Sequence, residues 1–198
     1  MAQNLLVQPI ERTGSRFVAA MVLVLLVSLA GGGCEKASSG GDGPTSAPAS
    51  APTPSAIEDL LPKQAQPKLQ TIKLWVGAAE LETEMALNGV QQMTGMMWRT
   101  NMPENTAMIF VHPTPRPASY WMKNCYVPLS IAYLDTEGTI LEIHNLQPHD
   151  TNSVVSTATN VRFALETPQG WFLRHNVSTG AVVRTERGSL PETCLRQR

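Results

Sequence analysis

The sequence predicts a single α+β domain, mostly antiparallel β, closed like a barrel or stacked like a sandwich, with one short helix. Three observations carry this. Between residues 71 and 184 apolar and β-branched runs of five to eight residues recur, separated by Gly, Pro, Asn and Asp. One pair of such runs flanks Asp135-Thr-Glu-Gly138, a turn sequence. Only "GVQQMTGMMWR" shows a helical period.

In chain order, "TIKLWV" (71–76) and "ELETEMAL" (80–87) are strands, the second by alternation of Leu81, Thr83 and Met85 with Glu82, Glu84 and Ala86. Asn88 can cap a helix in which Val90, Met93 and Met97 form an i, i+3, i+7 stripe, closed by Pro103. "AMIFVH" (107–112) is a continuous apolar strand ended by the "PTPRP" loop. "IAYLDTEGTILEI" (131–143) is a hairpin with Gly138 free to take a left-handed turn position. "NVRFALET" (160–167) and "WFLRHNV" (171–177) form a second hairpin around Pro168-Gln-Gly170, and "GAVVR" (180–184) is a last strand. The polar tail, 188–198, is peripheral.

The first 67 residues belong to another physical regime. Arg12 and Arg16 precede an apolar run from Phe17 to Ala30, then Gly31-Gly-Gly-Cys34. A basic start, a short apolar stretch and small residues before a cut describe a secretory signal over 1–33. At ~14 residues the run is shorter than the ~20 that span a bilayer. Cys34 after small residues resembles a bacterial lipobox, with Gly31 where that motif usually has Leu. The expectation is cleavage before Cys34, acylation of its thiol, and an exported protein lipid-anchored in the cell envelope. "SSGGDGPTSAPASAPTPS" (38–55) has almost nothing to bury, so 34–67 reads as a lipidated cysteine followed by a semi-extended tether. The folded domain is expected over 68–187.

From Lys68 to Arg198 there are eleven Lys or Arg and eleven Asp or Glu. A zero balance without a basic stripe gives no footprint for nucleic acid.

Four motifs in order carry a resemblance: "TGMMWR" (94–99), "AMIFVH" (107–112), "YWMKNCYVPLSIAYLD" (120–135) and "RFALETPQGWF" (162–172). They are similar to the DUF192 family, a small β-rich domain often found behind bacterial secretion signals and without a settled activity. The resemblance covers about residues 70–185. It picks out Gly95, Met97, Arg99, Met108, Phe110, Trp121, Met122, Lys123, Asn124, Pro128, Leu129, Glu166 and Gly170. The chain departs from the pattern at Cys125, where the family usually has Thr, and at Ser130, where it usually has Asp. An Asp that was catalytic in relatives would be missing here.

Three constellations have chemistry. Arg99, Trp121, Lys123 and Asn124, with Glu166 orienting Arg99, can wall a pocket for a small anionic or polar ligand, since a guanidinium suits a carboxylate and Trp supplies an apolar side. The same residues can equally form a structural network in which Arg99 pairs with Glu166. Six methionines lie within thirty residues, and Met96, Met102, His112 and Cys125 are of the types that select Cu(I). Met at helical spacing also fills cores, and no Met-x-Met or His-x-Met pair is present. Cys125 and Cys194, left after Cys34, are the candidates for an intramolecular disulfide in an oxidising compartment, contributing ~4 kcal/mol. Cys125 as a nucleophile activated by His112 or Lys123 is the remaining alternative. His144, His149 and Asp150 lack helical zinc spacing, and Asn176-Val-Ser178 is a glycosylation sequon by pattern only. There is no phosphate loop, serine elbow or defensible carboxylate pair. The sequence thus points to a non-catalytic binding or accessory module without a cofactor, with soft-metal handling and a cysteine-dependent enzyme as alternatives.

Overall fold

The computed structural model describes residues 58–195; the signal segment, Cys34 and most of the tether lie outside them. Between residues 71 and 194, ten strands and three short helices follow in order. They are β1 (Thr71–Val76), β2 (Ala79–Ala86), α1 (Gly89–Thr94), β3 (Thr106–Arg116), β4 (Ser119–Tyr120), β5 (Leu129–Leu134) and β6 (Ile140–Leu146). Then come β7 (Val154–Val155), β8 (Val161–Pro168), α2 (Trp171–Arg174), β9 (Val183–Thr185), β10 (Gly188–Ser189) and α3 (Leu190–Cys194). Eight strands form one sheet in the order β10-β9-β1-β2-β3-β8-β5-β6, antiparallel except for the parallel β2–β3 pair. β4 and β7 form a separate ribbon.

The sheet rolls until its ends meet at one corner, where Thr139 bridges Val182 and the Ile140 N–H donates to Ala181 O at 2.9 Å. It is not closed into a barrel. Because side chains alternate along a strand, the roll has two apolar faces. Ile109, Val111, Phe163, Leu165, Ala132 and Leu134 pack inward with β1, Trp171, Phe172 and Leu190. Met108, Phe110, Ile131, Tyr133 and Ala164 face the other way, under Met96, Met97, Met122 and Cys125.

Several expectations hold. The Asn88 side chain accepts from the Gln91 N–H while the Gln91 side chain reaches back, a capping box for α1. The β5–β6 hairpin turns through Gly138 at φ 85°, and Asp135 Oδ1 accepts from the N–H groups of Glu137 and Thr139. Others are corrected. α1 is only six residues long, so the stripe fails: Val90 and Met93 are 73% and 50% exposed, and Met97 is buried beyond the helix end. Gly95 stops it at φ 45°, where an added Cβ would sit 3.3 Å from the Phe110 ring.

β3 runs on through "PTPR", bulging between Val111 and Arg116 in its pairing with β8, which spares the prolines from donating to the ladder. "WFLRHNV" is not a strand, because Trp171 and Phe172 are buried consecutively in one cluster, as a helical turn allows and a strand does not. The tail is not peripheral either. Ser189 and Glu192 form a second capping box, and Leu190 and Cys194 are fully buried. The packed domain also begins before the expected Lys68, with Leu61 buried among the second cluster.

Candidate functional site

The second face of the sheet is not completely filled. A cavity of about 360 Å³ lies over β3 and β8, walled by Met96, Met97, Phe110, His112, Tyr120, Trp121, Cys125 and Glu166 among others. Its builders follow from alternation. Met108, Phe110 and His112 point to one face of β3, and in register Met108 lies opposite Glu166, which on its other side lies opposite Ile131 of β5. Glu166 therefore stands between two apolar strands, 4% exposed. Above it, Gln92 fastens α1 to the sheet by donating to Ala86 O and Val111 O at 3.2 and 2.7 Å.

The segment before β1 closes one side. Leu61 lines the cavity, the Trp98 indole donates to Pro62 O at 2.8 Å, and the Gln66 amide donates to Gln91 O and Gly95 O.

Glu166 is the anomaly. Its Oε2 is buried and has no hydrogen-bond partner. Burial pushes its pKa up to about 8, against a weak opposing pull from Arg99. A buried carboxyl oxygen without a donor is costly, and such groups are rare enough to require an explanation. Its neighbours give no relief. Burial raises the Tyr120 hydroxyl and the Cys125 thiol, the latter to about 12, with the Glu166 charge adding to both shifts. Cys125 thus keeps its proton at neutral pH and is a poor nucleophile. Tyr120 is packed edge-on to Phe110 with centroids 5.1 Å apart, and 5.9 Å from Tyr133.

His112 is held between Arg116 Nη2 at 3.4 Å on Nδ1 and the Tyr120 hydroxyl at 3.3 Å on Nε2. A guanidinium only donates, so Nδ1 accepts and the ring proton sits on Nε2, toward Tyr120.

The expected site residues divide. Trp121 and Glu166 line the cavity. Arg99 does not pair with Glu166: it grips Glu84 through two bonds, 2.5 and 2.8 Å, beside a separate hollow that it shares with Met102. Burial opposes the Glu84 charge, but bonds from Arg99 and the Leu69 N–H outweigh it and hold the pKa below the ordinary carboxylate value. Lys123 pairs with Glu58 at the surface. Asn124 is a turn residue at φ 59°, its carbonyl accepting the Trp98 N–H at 2.7 Å.

Of the proposed copper ligands, Met96, His112 and Cys125 share the cavity and Met102 does not. The expected disulfide is not formed. Cys125 and Cys194 are free thiols in the two different apolar clusters. Ser130 donates to Asn145 Oδ1 at 2.6 Å and accepts from the Gly170 N–H at 2.8 Å, fastening the β8–α2 turn. His144 pairs with Glu142 at 3.0 Å, away from the cavity. Among the described residues no group of three or more His, Cys, Asp or Glu could hold a metal ion.

Tyr120, Phe110 and Arg116 were not anticipated as cavity walls. The strand period of "AMIFVH" already placed Phe110 and His112 together, but the contact with Glu166 needed the β3–β8 register.

The family model for DUF192, described as an uncharacterized group, matches residues 72–185. The chain belongs to the DUF192 family. The match takes in β1 to β9 and every cavity wall except Leu61. A Sinorhizobium meliloti protein described as a candidate transcription regulator is similar in structure, with TM-score 0.55 and 31% identity over 58% of this chain and 92% of that one. A Novosphingobium aromaticivorans protein of unknown function gives TM-score 0.56 and 26% identity over 59% and 86%. No functionally curated relative matches.

Proposed function

We propose that this DUF192 domain is a non-catalytic binding module held at a bacterial cell envelope, taking one small polar ligand in the cavity over Glu166. The observation that carries the reading is the buried, unpartnered Glu166 oxygen on the wall of a space large enough for a small molecule. A ligand that donates a hydrogen bond there removes a cost that the empty fold bears. Arg99 and Lys123, spent on Glu84 and Glu58, no longer argue for an anion. The envelope placement rests on the signal-like run and Cys34 in the sequence. The regulator description of the Sinorhizobium protein is not carried over, because the charge balance from Lys68 onward leaves no phosphate-binding stripe.

Copper handling is the second reading, favoured by the convergence of Met96, His112 and Cys125 on one cavity. Against it, both His112 ring nitrogens are engaged. A cysteine-dependent enzyme is opposed by the protonated Cys125.

Native mass spectrometry of the full chain, purified in detergent from an oxidising envelope, tests these together. The expected spectrum carries an organic adduct and no metal, and the adduct is lost in Glu166→Leu. Adduct-free protein that no polar metabolite stabilises against heat would overturn the binding module. One copper ion per chain would replace it with the metal reading.

A further inference from the structure

We propose that the ligand is a small organic cation whose ammonium group seats on the Glu166 carboxylate and whose apolar body fills the space beneath Trp121 and Met96. The inference rests on the binding reading above and names its ligand class.

The charge inventory around Glu166 points this way. From β8 itself the cavity receives only the Glu166 carboxyl. From β5, Tyr133 packs on the same face, within reach of the Glu166 charge, with its hydroxyl donated to Val154 O at 2.6 Å. From β3, His112 has both ring nitrogens engaged, by Arg116 and the Tyr120 hydroxyl, and Arg116 stands at the exposed rim, turned onto that ring. From β4 and the following turn come Tyr120 and the Cys125 thiol, both protonated. Arg99, the cation whose charge reaches Glu166, already carries two bonds to Glu84. The cavity thus holds an acid at its base and no fixed cation committed to it.

An ammonium supplies three donors and a full positive charge to that acid. The remaining walls suit the rest of such a molecule. Phe110, Tyr120 and Trp121 present aromatic surface to a cation, and Met96 and Met97 add polarizable thioethers. An anion would instead stand beside Glu166 and require that it keep its proton.

The two cases differ in proton linkage. Glu166 with a pKa of about 8 is mostly protonated in the empty protein at pH 6. A cation that ionises it must expel that proton, so its affinity rises by about 50-fold between pH 6 and pH 8. Alkylammonium groups remain charged across that range.

The experiment is calorimetric titration of the full chain, in detergent, at pH 6 and pH 8. The probes are matched amines, alcohols and carboxylates on phenylethyl, indolylethyl and isopentyl skeletons. The expected result is preference for an amine, tightening by tens of fold at the higher pH, with Glu166→Gln abolishing the pH dependence and weakening the amine at least tenfold. Should Glu166→Gln not fold, the wild-type pH series decides alone. A carboxylate that binds best and weakens as pH rises overturns the cation and leaves the binding module standing. An alcohol that equals the amine at both pH values does the same. Failure of every probe to bind overturns both.

Discussion

Strands β3, β5 and β8 each serve two masters. Toward one face they send Ile109, Ala132, Phe163 and Leu165, which meet Trp171, Leu190 and the rest of a close apolar core. Toward the other they send Phe110, His112 and Glu166 around a cavity, with Tyr133 and Ala164 in the same apolar cluster. The backbone is shared, so the difference lies wholly in which residue types occupy odd and even positions. On the first face the thiol of Cys194, pushed up to about 11 by burial, is inert packing. On the second, an acid is buried without a partner. One face holds the domain together, and the other carries the cost of a buried carboxyl oxygen without a hydrogen-bond partner. Stability given up at a site in this way is what function commonly demands of a fold.

The comparison can be broken most severely on the packed face. Trp171→Ala should lose about 3–5 kcal/mol of stability by denaturant unfolding, as large aromatic deletions in cores do. On the cavity face the sign reverses: Glu166→Leu should gain about 3 kcal/mol at pH 7. The sign follows from protons. The unfolded carboxyl ionises near 4.5 and the folded one near 8, so the wild type binds more protons folded and loses stability between those values as pH rises. The gain should therefore shrink as pH falls to 4.5, and a gain that stays constant with pH would place the wild-type Glu166 carboxyl in solvent. The smallest effect is chemical. Neither Cys125 nor Cys194 should react with a thiol reagent in the folded protein at pH 8, and both should react once it is unfolded. Rapid labelling of Cys125 alone would show that the cavity face opens and the packed face does not.

Much of this contrast was legible in the sequence. The β-rich class, the Asn88 cap and the Asp135–Gly138 hairpin follow from local chemistry that no tertiary contact overrides. Glu166 and Trp121 were visible through the motif order. What could not be read was pairing across the sheet. Arg99 meets Glu84 because β2 lies parallel to β3, an arrangement without a local signal. The tail does carry a local signal of its helix, because Ser189-x-x-Glu192 is a capping-box pattern with Pro191 at the helix start. Polar composition concealed that Leu190, Thr193 and Cys194 are positions that bury. Compartment and cysteine count favour a disulfide, but the faces of the sheet keep the two sulfurs in separate cores.

The pairing of β1 with β9 joins Leu74 to Thr185. The first strand of the sheet thus waits for residues more than a hundred positions later before its open edge is covered. Contacts of such sequence separation slow folding, because the chain must close a long loop before any of them forms. A ribosome delivering this chain from its N-terminus therefore delivers an incomplete sheet until residues 183–185 have emerged.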